Sequence, residues 1–408
     1  MIIQGTLVSS SGTFHSQIRL EGKQIVEVGS NLGDADLTFS DDCLIFAGMG
    51  DIHIHARDDV GESQIYKEDF CTAAAAAING GVVHVADMPN NPVPPITDES
   101  YNDKVKHLAQ RNPAIHFTLY AGIGPGTRPL SFAVPYKAYM GPSVGDLFFR
   151  TLEQLDETLS HYRGCNVSFH CEDPILLDEH ANAATHEERR PAECEISATR
   201  FALQMIEKYD LRGKLCHYSV GEGLPLIREA RNRGVQVTCE VTPHHLYFDQ
   251  SDLTDENRGK MQMNPPLRTI SDRKAMLAAL RDGTLDYLAT DHAPHTLEEN
   301  EQGISGQPHL DTYGAFVTWL ILDQKFTPEQ AAQFCSENPG HFVNPYVSPK
   351  KFGRIEAGYT ASLTVLNLER PVTIKREDIQ TKCGWSPFEG ITFPGSVEAV
   401  FIEGKQVR

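Results

Sequence analysis

The sequence predicts an α/β protein, a (β/α)₈ TIM barrel with a small β-sandwich formed from both chain ends. Apolar, β-branched runs alternate with helical intervals through the middle of the chain, and there are eight such runs. The two ends instead share a texture of short strands and turns. Strands that alternate with helices are typical of βαβ units around a parallel sheet, and eight units over about 300 residues suit a closed barrel.

The central part supplies both kinds of element. The eight predicted barrel strands are 51–55, 82–87, 116–122, 136–140, 166–171, 214–219, 236–242 and 285–290. The predicted helices include 69–79, 98–110, 151–160, 197–209, 224–233 and 272–280. An open doubly wound sheet is the alternative, but no G-x-G-x-x-G motif follows the first strand, so the barrel is favoured.

The chain ends predict the second domain. Residues 1–47 contain three short strand patterns separated by Ser/Gly and Glu-Gly-Lys turns, and the C-terminal stretch has the same pattern. Neither end is long enough to close a core alone, and chain termini often lie close together. We therefore predict a sandwich from 1–47 plus 355–408 and a barrel domain from 48–354.

Composition and charge exclude several classes of protein. Of the 408 residues, 36 are Lys or Arg and 55 are Asp or Glu, a formal net charge of −19 that disfavours nucleic acid as a partner. No apolar run approaches the ~20 residues that span a bilayer, and the first residues lack the pattern of a signal peptide. Nine cysteines without a C-x-x-C pair indicate reduced thiols. We expect a cytoplasmic protein with a small-molecule substrate, and leave open whether it forms a homo-oligomer.

Polar residues are concentrated where the predicted strands end, which is where a barrel carries its chemistry. Each alone has an ordinary explanation, as a buried core histidine, a surface lysine or a helix cap. Together they predict a metal site, because buried polar groups are costly and because imidazole and carboxylate are zinc ligands. A lysine carboxylated by CO₂ has two oxygens suited to bridging two metals. The residues are His53, His55, Lys137, His170, His217 and Asp291.

Five motifs carry a resemblance to a known family. They are Asp51-Ile52-His53-Ile54-His55-Ala56-Arg57, Met88-Pro89-Asn90, Glu240-Val241-Thr242-Pro243-His244-His245-Leu246, Asn264-Pro265-Pro266-Leu267-Arg268 and Thr290-Asp291-His292-Ala293-Pro294-His295. In this order they resemble the motifs of dihydroorotase, the cyclic amidohydrolase of pyrimidine biosynthesis, over about residues 44–370. The resemblance implies reversible, zinc-dependent cyclisation of N-carbamoyl-L-aspartate to L-dihydroorotate with loss of water.

The resemblance also implies roles for individual residues. His53, His55 and Asp291 would hold the more buried zinc, and His170 and His217 a second zinc. Carboxylated Lys137 would bridge the two ions, and Asp291 would also be the catalytic proton carrier. The substrate carboxylate would be bound by Arg57 and Asn90, with help from Asn264 and His295. An arginine fork matches a carboxylate, and it supplies a local cation in an acidic protein.

Two other functions are left open. A sister amidohydrolase such as allantoinase or hydantoinase (dihydropyrimidinase) would keep the metal site, but it has no need of Arg57 and Asn90, because its substrate lacks the ring carboxylate. An inactive, dihydroorotase-like assembly partner would be expected to lose metal ligands, and none is missing. No chemistry is assigned to the charged run 186–193, to the pair His244 and His245, or to His309.

Overall fold

A computed structural model describes residues 1–142 and 147–408 of the chain. The strands are β1 Ile2–Ser9, β2 Gly12–Glu21, β3 Gln24–Gly29, β4 Leu37–Thr38, β5 Cys43–Ala47, β6 Met49–Ile54, β7 Val82–Asp87, β8 His116–Leu119, β9 Ala121–Ile123, β10 Tyr136–Tyr139, β11 Asn166–His170, β12 Arg212–Leu215, β13 Val237–Val241, β14 Tyr287–Leu288, β15 Leu363–Asn367, β16 Val372–Thr373, β17 Thr392–Phe393, β18 Ser396–Ile402 and β19 Lys405–Gln406. The α-helices are α1 Phe70–Asn79, α2 Asp98–Arg111, α3 Leu152–Leu159, α4 Pro174–Glu179, α5 His186–Arg189, α6 Ala192–Lys208, α7 Leu224–Asn232, α8 Pro243–Tyr247, α9 Ile270–Arg281, α10 Leu297–Glu301, α11 Tyr313–Leu322, α12 Pro328–Ala332 and α13 Asn338–Val343.

Strands β6 to β14 form the wall of a parallel barrel. The predicted strand 116–122 is interrupted at Tyr120, so that β8 pairs with β7 whereas β9 pairs with β10. The remaining neighbours pair in chain order from β10 to β14. The wall closes where Ile54 pairs with His292, and the backbone N–H of His55 donates to the carbonyl of His292 at 2.7 Å. This closure excludes the open sheet.

The chain ends form one sheet, in the order β19-β18-β15-β5-β1-β2-β3, with β4 paired to β1. The alternation of apolar and polar residues in the sequence places one face of this sheet on its own core, where Ile3, Leu7, Ile18, Val365 and Phe401 are buried. The short strands β16 and β17 pair with each other separately. The boundaries 1–47 plus 355–408 and 48–354 stay predictions.

Helix α11 is buried on almost every side, which explains why its sequence is apolar throughout. It contacts β15, β17 and β18. Leu310 lies just before this helix in the chain. A Cβ at Gly80 would lie 1.8 Å from the carbonyl oxygen of Leu310, so only glycine allows the backbones to approach this closely. In the part of the chain that the structure describes, no helix is long and apolar enough to span a membrane.

Candidate active site

The carboxyl ends of the barrel strands surround a small pocket. Nine of the ten predicted site residues line it, namely His53, His55, Arg57, Asn90, Lys137, His170, His217, Asn264 and Asp291. The tenth, His295, lies behind Arg57 and contacts its guanidinium. Beyond this pocket a larger cleft of about 1070 Å³ opens outward and shares Asn264 and Ser305 with it. The residues selected by the strand-end pattern are far apart along the chain, and the fold places nine of them around one pocket.

The first half of the site is built on the end of β6. Residues 53 and 55 lie two apart on a strand, so their side chains share a face. Nε2 of His53 lies 3.1 Å, and Nε2 of His55 3.0 Å, from Oδ1 of Asp291. Burial lowers the pKa of His55 to about 3, so its imidazole is neutral and Nε2 has a free lone pair. Two imidazole nitrogens and one carboxylate oxygen therefore converge on one point.

Both histidines of this half are fixed by hydrogen bonds through Nδ1, the ring nitrogen that does not face Asp291. Nδ1 of His53 donates to Glu240 at the end of β13, and Glu240 is itself paired with buried Lys214. Nδ1 of His55 donates to Oδ1 of Asn90 at 2.7 Å. Burial alone would raise the pKa of Glu240, but Lys214 and His53 hold it well below its usual value. These bonds fix the tautomer that leaves Nε2 free for a metal. Glu240 lies in one of the five sequence motifs, but no role was predicted for it.

The second half is built on the ends of β11 and β12. Nδ1 of His170 lies 2.9 Å from Nε2 of His217. The other nitrogen of His170 donates to Glu172 at 2.8 Å, and Glu172 pairs with Arg190. The charged run 186–193 thus reaches the site through Arg190. Nδ1 of His217 is buried and has no hydrogen-bond partner among the described residues. Only one histidine of this half is therefore held from behind.

Lys137 lies between the two halves and is fully buried. Its Nζ lies 2.8 Å from Sγ of Cys216. Tyr139, two residues further along β10, lines the same pocket, and its hydroxyl is buried without a partner in the described parts of the chain. Neither Cys216 nor Tyr139 was predicted from the sequence as a site residue. The two-residue period of a strand is the signal that would have found Tyr139.

Arg57 brings a guanidinium into the pocket. It is 2% exposed, and its Nη2 donates to Nε2 of His295 at 2.9 Å. Its Nη1 is buried with no acceptor among residues 1–142 and 147–408. Asn90 uses its amide oxygen on His55, so only its NH₂ group is left for a ligand. The amide oxygen of Asn264 is buried and likewise has no partner within the described ranges.

Three further histidines, His244, His245 and His309, bond to each other, to a hydroxyl or to the backbone. His244 Nδ1 lies 2.9 Å from His309 Nε2. His245 lies 2.8 Å from the hydroxyl of Thr242 and 3.2 Å from the carbonyl of Pro265. None of these three histidines lines the pocket. The structure brings them next to the site without placing them in it.

Three site residues have strained backbones. Arg57, His217 and Asp291 have φ of 56°, 38° and 48°, in the left-handed region that residues other than glycine seldom adopt. Each such conformation costs of order 1–3 kcal/mol and persists only where the surroundings impose it. Here it turns the chain at a strand end so that the side chain enters the pocket.

The donor set fits a metal ion. His53, His217 and Asp291 each offer one ligand atom, and these atoms lie within 4.8 Å of one another. His53, Cys216 and Glu240 form a second such group. The oxygens of Glu240 already bond to His53 and Lys214, so the first group is the better candidate. Neutral imidazole and carboxylate are the ligands of catalytic zinc sites.

Comparison with known proteins identifies the class to which this barrel and its site belong. The family model described as amidohydrolase family matches residues 151–407. A dihydroorotase of Pediococcus pentosaceus is 32% identical, over 96% of this chain and 91% of its own length. A dihydroorotase of Pyrococcus furiosus is 29% identical, over 100% and 92%. The chain belongs to the amidohydrolase family and, within it, to the dihydroorotases.

Solved structures support the fold. The L-hydantoinase of Arthrobacter aurescens is similar with a TM-score of 0.90 at 23% identity, covering 100% of this chain and 95% of that one. A D-hydantoinase has a TM-score of 0.86 at 24% identity, covering 100% and 94%. These likenesses confirm the predicted fold class, a (β/α)₈ barrel with a β-sandwich. Amidohydrolases generally use metal ions, which agrees with the donor set.

Proposed function

We propose that this chain interconverts N-carbamoyl-L-aspartate and L-dihydroorotate, as a cytoplasmic enzyme of pyrimidine biosynthesis. The reaction joins the carbamoyl nitrogen to the side-chain carboxyl carbon of aspartate and releases water; hydrolysis reverses it. The full-length dihydroorotase relatives support this reaction rather than that of a hydantoinase or allantoinase.

The observation that carries the proposal is Arg57. Its guanidinium is buried in the pocket, forms no ion pair among the described residues, and has Nη1 without an acceptor. A buried charge without a partner is strongly destabilising. The ring carboxylate of dihydroorotate would satisfy it, whereas hydantoin and allantoin have no such group. The NH₂ group of Asn90 can donate to the same carboxylate, and the amide oxygen of Asn264 is left to accept from the substrate.

The proposed cofactor is zinc, with two ions per subunit. His53, His55 and Asp291 would hold one ion, and His170 and His217 the other, with carboxylated Lys137 between them. An unmodified ammonium between two dications would be strongly repelled, which is why the carbamate is proposed. When bound, zinc supplies a Lewis acid that polarises the carbonyl under attack.

Asp291 is the proposed proton carrier. Burial would raise its pKa, but His53 and His55 hold it well below the ordinary value, so the carboxylate is ionised. Its Oδ1 faces the two histidines, while Oδ2 makes no hydrogen bond among the described residues. Hydrolysis needs a group that takes a proton from the attacking water and gives one to the leaving nitrogen. Ring closure uses the same group in reverse.

Zinc-loaded protein should be assayed with L-dihydroorotate, hydantoin and allantoin, with metal analysis of the same sample. We expect carbamoyl aspartate from dihydroorotate, about two zinc ions per chain, and at least about a hundredfold lower kcat/KM on the two neutral rings. Preferred turnover of hydantoin would replace the proposal with a hydantoinase. Fully metallated protein inactive on all three would favour the assembly partner.

A further inference from the structure

His295 lies between two cations inside the protein. Its Nε2 is 2.9 Å from Nη2 of Arg57, and its Nδ1 is 3.2 Å from Nζ of Lys67. Lys67 is itself buried and pairs with Oε1 of Glu299 at 2.8 Å. The other oxygen of Glu299 lies 3.3 Å from Nδ1 of His295. The hydroxyl of Tyr66 donates to Glu299 at 2.6 Å.

Of the two neutral tautomers of His295, one accounts for its contacts with both Arg57 and Glu299. A neutral imidazole has one acceptor nitrogen, so it cannot accept from both Arg57 and Lys67. Lys67 has Glu299 as an acceptor, whereas Nη2 of Arg57 bonds to no other group in the described structure. Nε2 of His295 must therefore accept from Arg57, and Nδ1 must carry the proton and donate to Glu299. An imidazolium would instead point one N–H at each cation.

We propose that Lys67 and Glu299 are a positioning pair that keeps His295 in its neutral Nδ1–H form, so that His295 holds Arg57 with Nη1 directed at the substrate carboxylate. Glu299 selects the tautomer, and Lys67 cancels the charge of Glu299 and repels a second proton. The inference deepens the proposed function and depends on it for the identity of the substrate.

Charge balance explains the need for a pair. Lys67 and Glu299 cancel, and neutral His295 adds nothing, so Arg57 is left as one positive charge for one ring carboxylate. Burial, and then the charges of Arg57 and Lys67, lower the pKa of His295 to about 2. Burial would raise the pKa of Glu299, but hydrogen bonds from Lys67 and Tyr66 lower it to about 2. His295 is therefore neutral throughout the working pH range.

The two single variants should fail in different ways. In Lys67→Met the unpaired Glu299 raises the pKa of His295, so that below this pKa an N–H faces Nη2 of Arg57. The KM for L-dihydroorotate should then rise about tenfold at about pH 6 and less than about threefold at about pH 8.5.

In Glu299→Gln the unpaired Lys67 donates to Nδ1 and forces the other tautomer, so KM should rise about tenfold at both pH values. In both variants kcat should stay within about twofold of wild type.

The double variant Lys67→Met/Glu299→Gln separates charge balance from mere packing. Its glutamine oxygen can still accept from Nδ1–H, and no net charge is introduced, so KM should return to within about threefold of wild type. If the pair only filled space, the double variant would be at least as impaired as either single variant. Lys208→Met, which breaks an exposed pair with Asp156, is the control and should change KM at neither pH.

A second measurement does not depend on the reaction. Ring ¹⁵N NMR of labelled histidine, with His295 assigned by its loss in His295→Gln, should show the neutral Nδ1–H tautomer in wild type and an imidazolium in Lys67→Met at about pH 6. An Nε2–H tautomer in wild type, or a Lys67→Met variant whose KM does not depend on pH, would overturn the inference. Failure of wild type to use dihydroorotate would overturn the proposed function alone, because the NMR result would still decide the positioning.

Discussion

In the half of the site built on His53 and His55, both imidazoles are bonded from behind, to Glu240 and Asn90. In the half built on His170 and His217, only His170 has such a partner. Lys137, the bridge proposed between the halves, contacts Cys216 instead of a histidine. The first half is thus organised by the protein alone, whereas the second lacks a fixed orientation for one ligand and needs a chemical change in another.

Outer hydrogen bonds decide how much order a metal site has before the ion arrives, because they fix ring orientation and tautomer. The comparison therefore indicates that an ion held by the first half would bind more tightly and that an ion held by the second half would leave first. The variants below test this difference or separate it from substrate binding, from the largest expected effect to the smallest.

Asp291→Asn should have the largest effect, because it removes both a ligand of the first half and the proposed proton carrier. We expect kcat to fall by at least about 10³-fold in both directions of the reaction. Thermal unfolding should show that the fold is retained. Substantial activity in both directions would move the proton carrier to another residue.

Lys137→Ala should disable the second half and spare the first. We expect the zinc content to fall from about two to about one per chain and activity to fall about a hundredfold, with partial rescue by short carboxylic acids. Metal analysis after gel filtration gives the content. Two retained ions, or mass data showing a bare amine in fully metallated enzyme, would contradict the bridge.

Glu172→Gln should weaken the second half without removing a ligand. Loss of an outer carboxylate typically costs 10–100-fold in metal affinity, so one of the two ions should leave at about 10–100-fold lower chelator concentration. The other ion should titrate as in wild type, because Glu172 contacts only His170 among the proposed ligands. If both ions weakened equally, the two halves would not be independent.

Arg57 belongs to neither half, so Arg57→Met should leave the zinc content of both halves unchanged. A charge-assisted hydrogen bond at a buried site is worth about 1.5–3 kcal/mol, so kcat/KM for dihydroorotate should fall by at least about tenfold. Zinc content measured on the same sample should equal that of wild type. A variant with normal turnover would show that the carboxylate is bound elsewhere, which would remove the case against a hydantoinase.

Much of the fold could be predicted because barrel strands buried on both faces have distinctive apolar runs. The predicted strand 82–87 coincides with β7, and 236–242 contains β13. The break at Tyr120 was not predictable, since residues on both sides of it are equally apolar and only the neighbouring strands decide the pairing. Helix α11 lacks a polar face, so periodicity gives it no signal.

The candidate site was predictable as a set of residues but not as a network. Its members lie at the ends of predicted strands, a position that can be read from the sequence, and nine of the ten line the pocket. Glu240 also lies at a strand end, but nothing in the sequence pairs it with His53, 187 residues away, or pairs Lys67 with His295, 228 residues away. Such pairs depend on which strands are neighbours, and a single sequence does not encode that locally.

The left-handed backbones at Arg57, His217 and Asp291 have a consequence for laboratory evolution. Glycine adopts this conformation freely, so the backbone contribution alone favours glycine at each position by roughly 1 kcal/mol or more. At Arg57, whose buried charge has no ion pair among the described residues, a campaign that ranks variants only by melting temperature would therefore tend to collect glycine. Its winners would be heat-resistant barrels without the proposed substrate anchor, so a screen on this scaffold has to score turnover together with thermal tolerance.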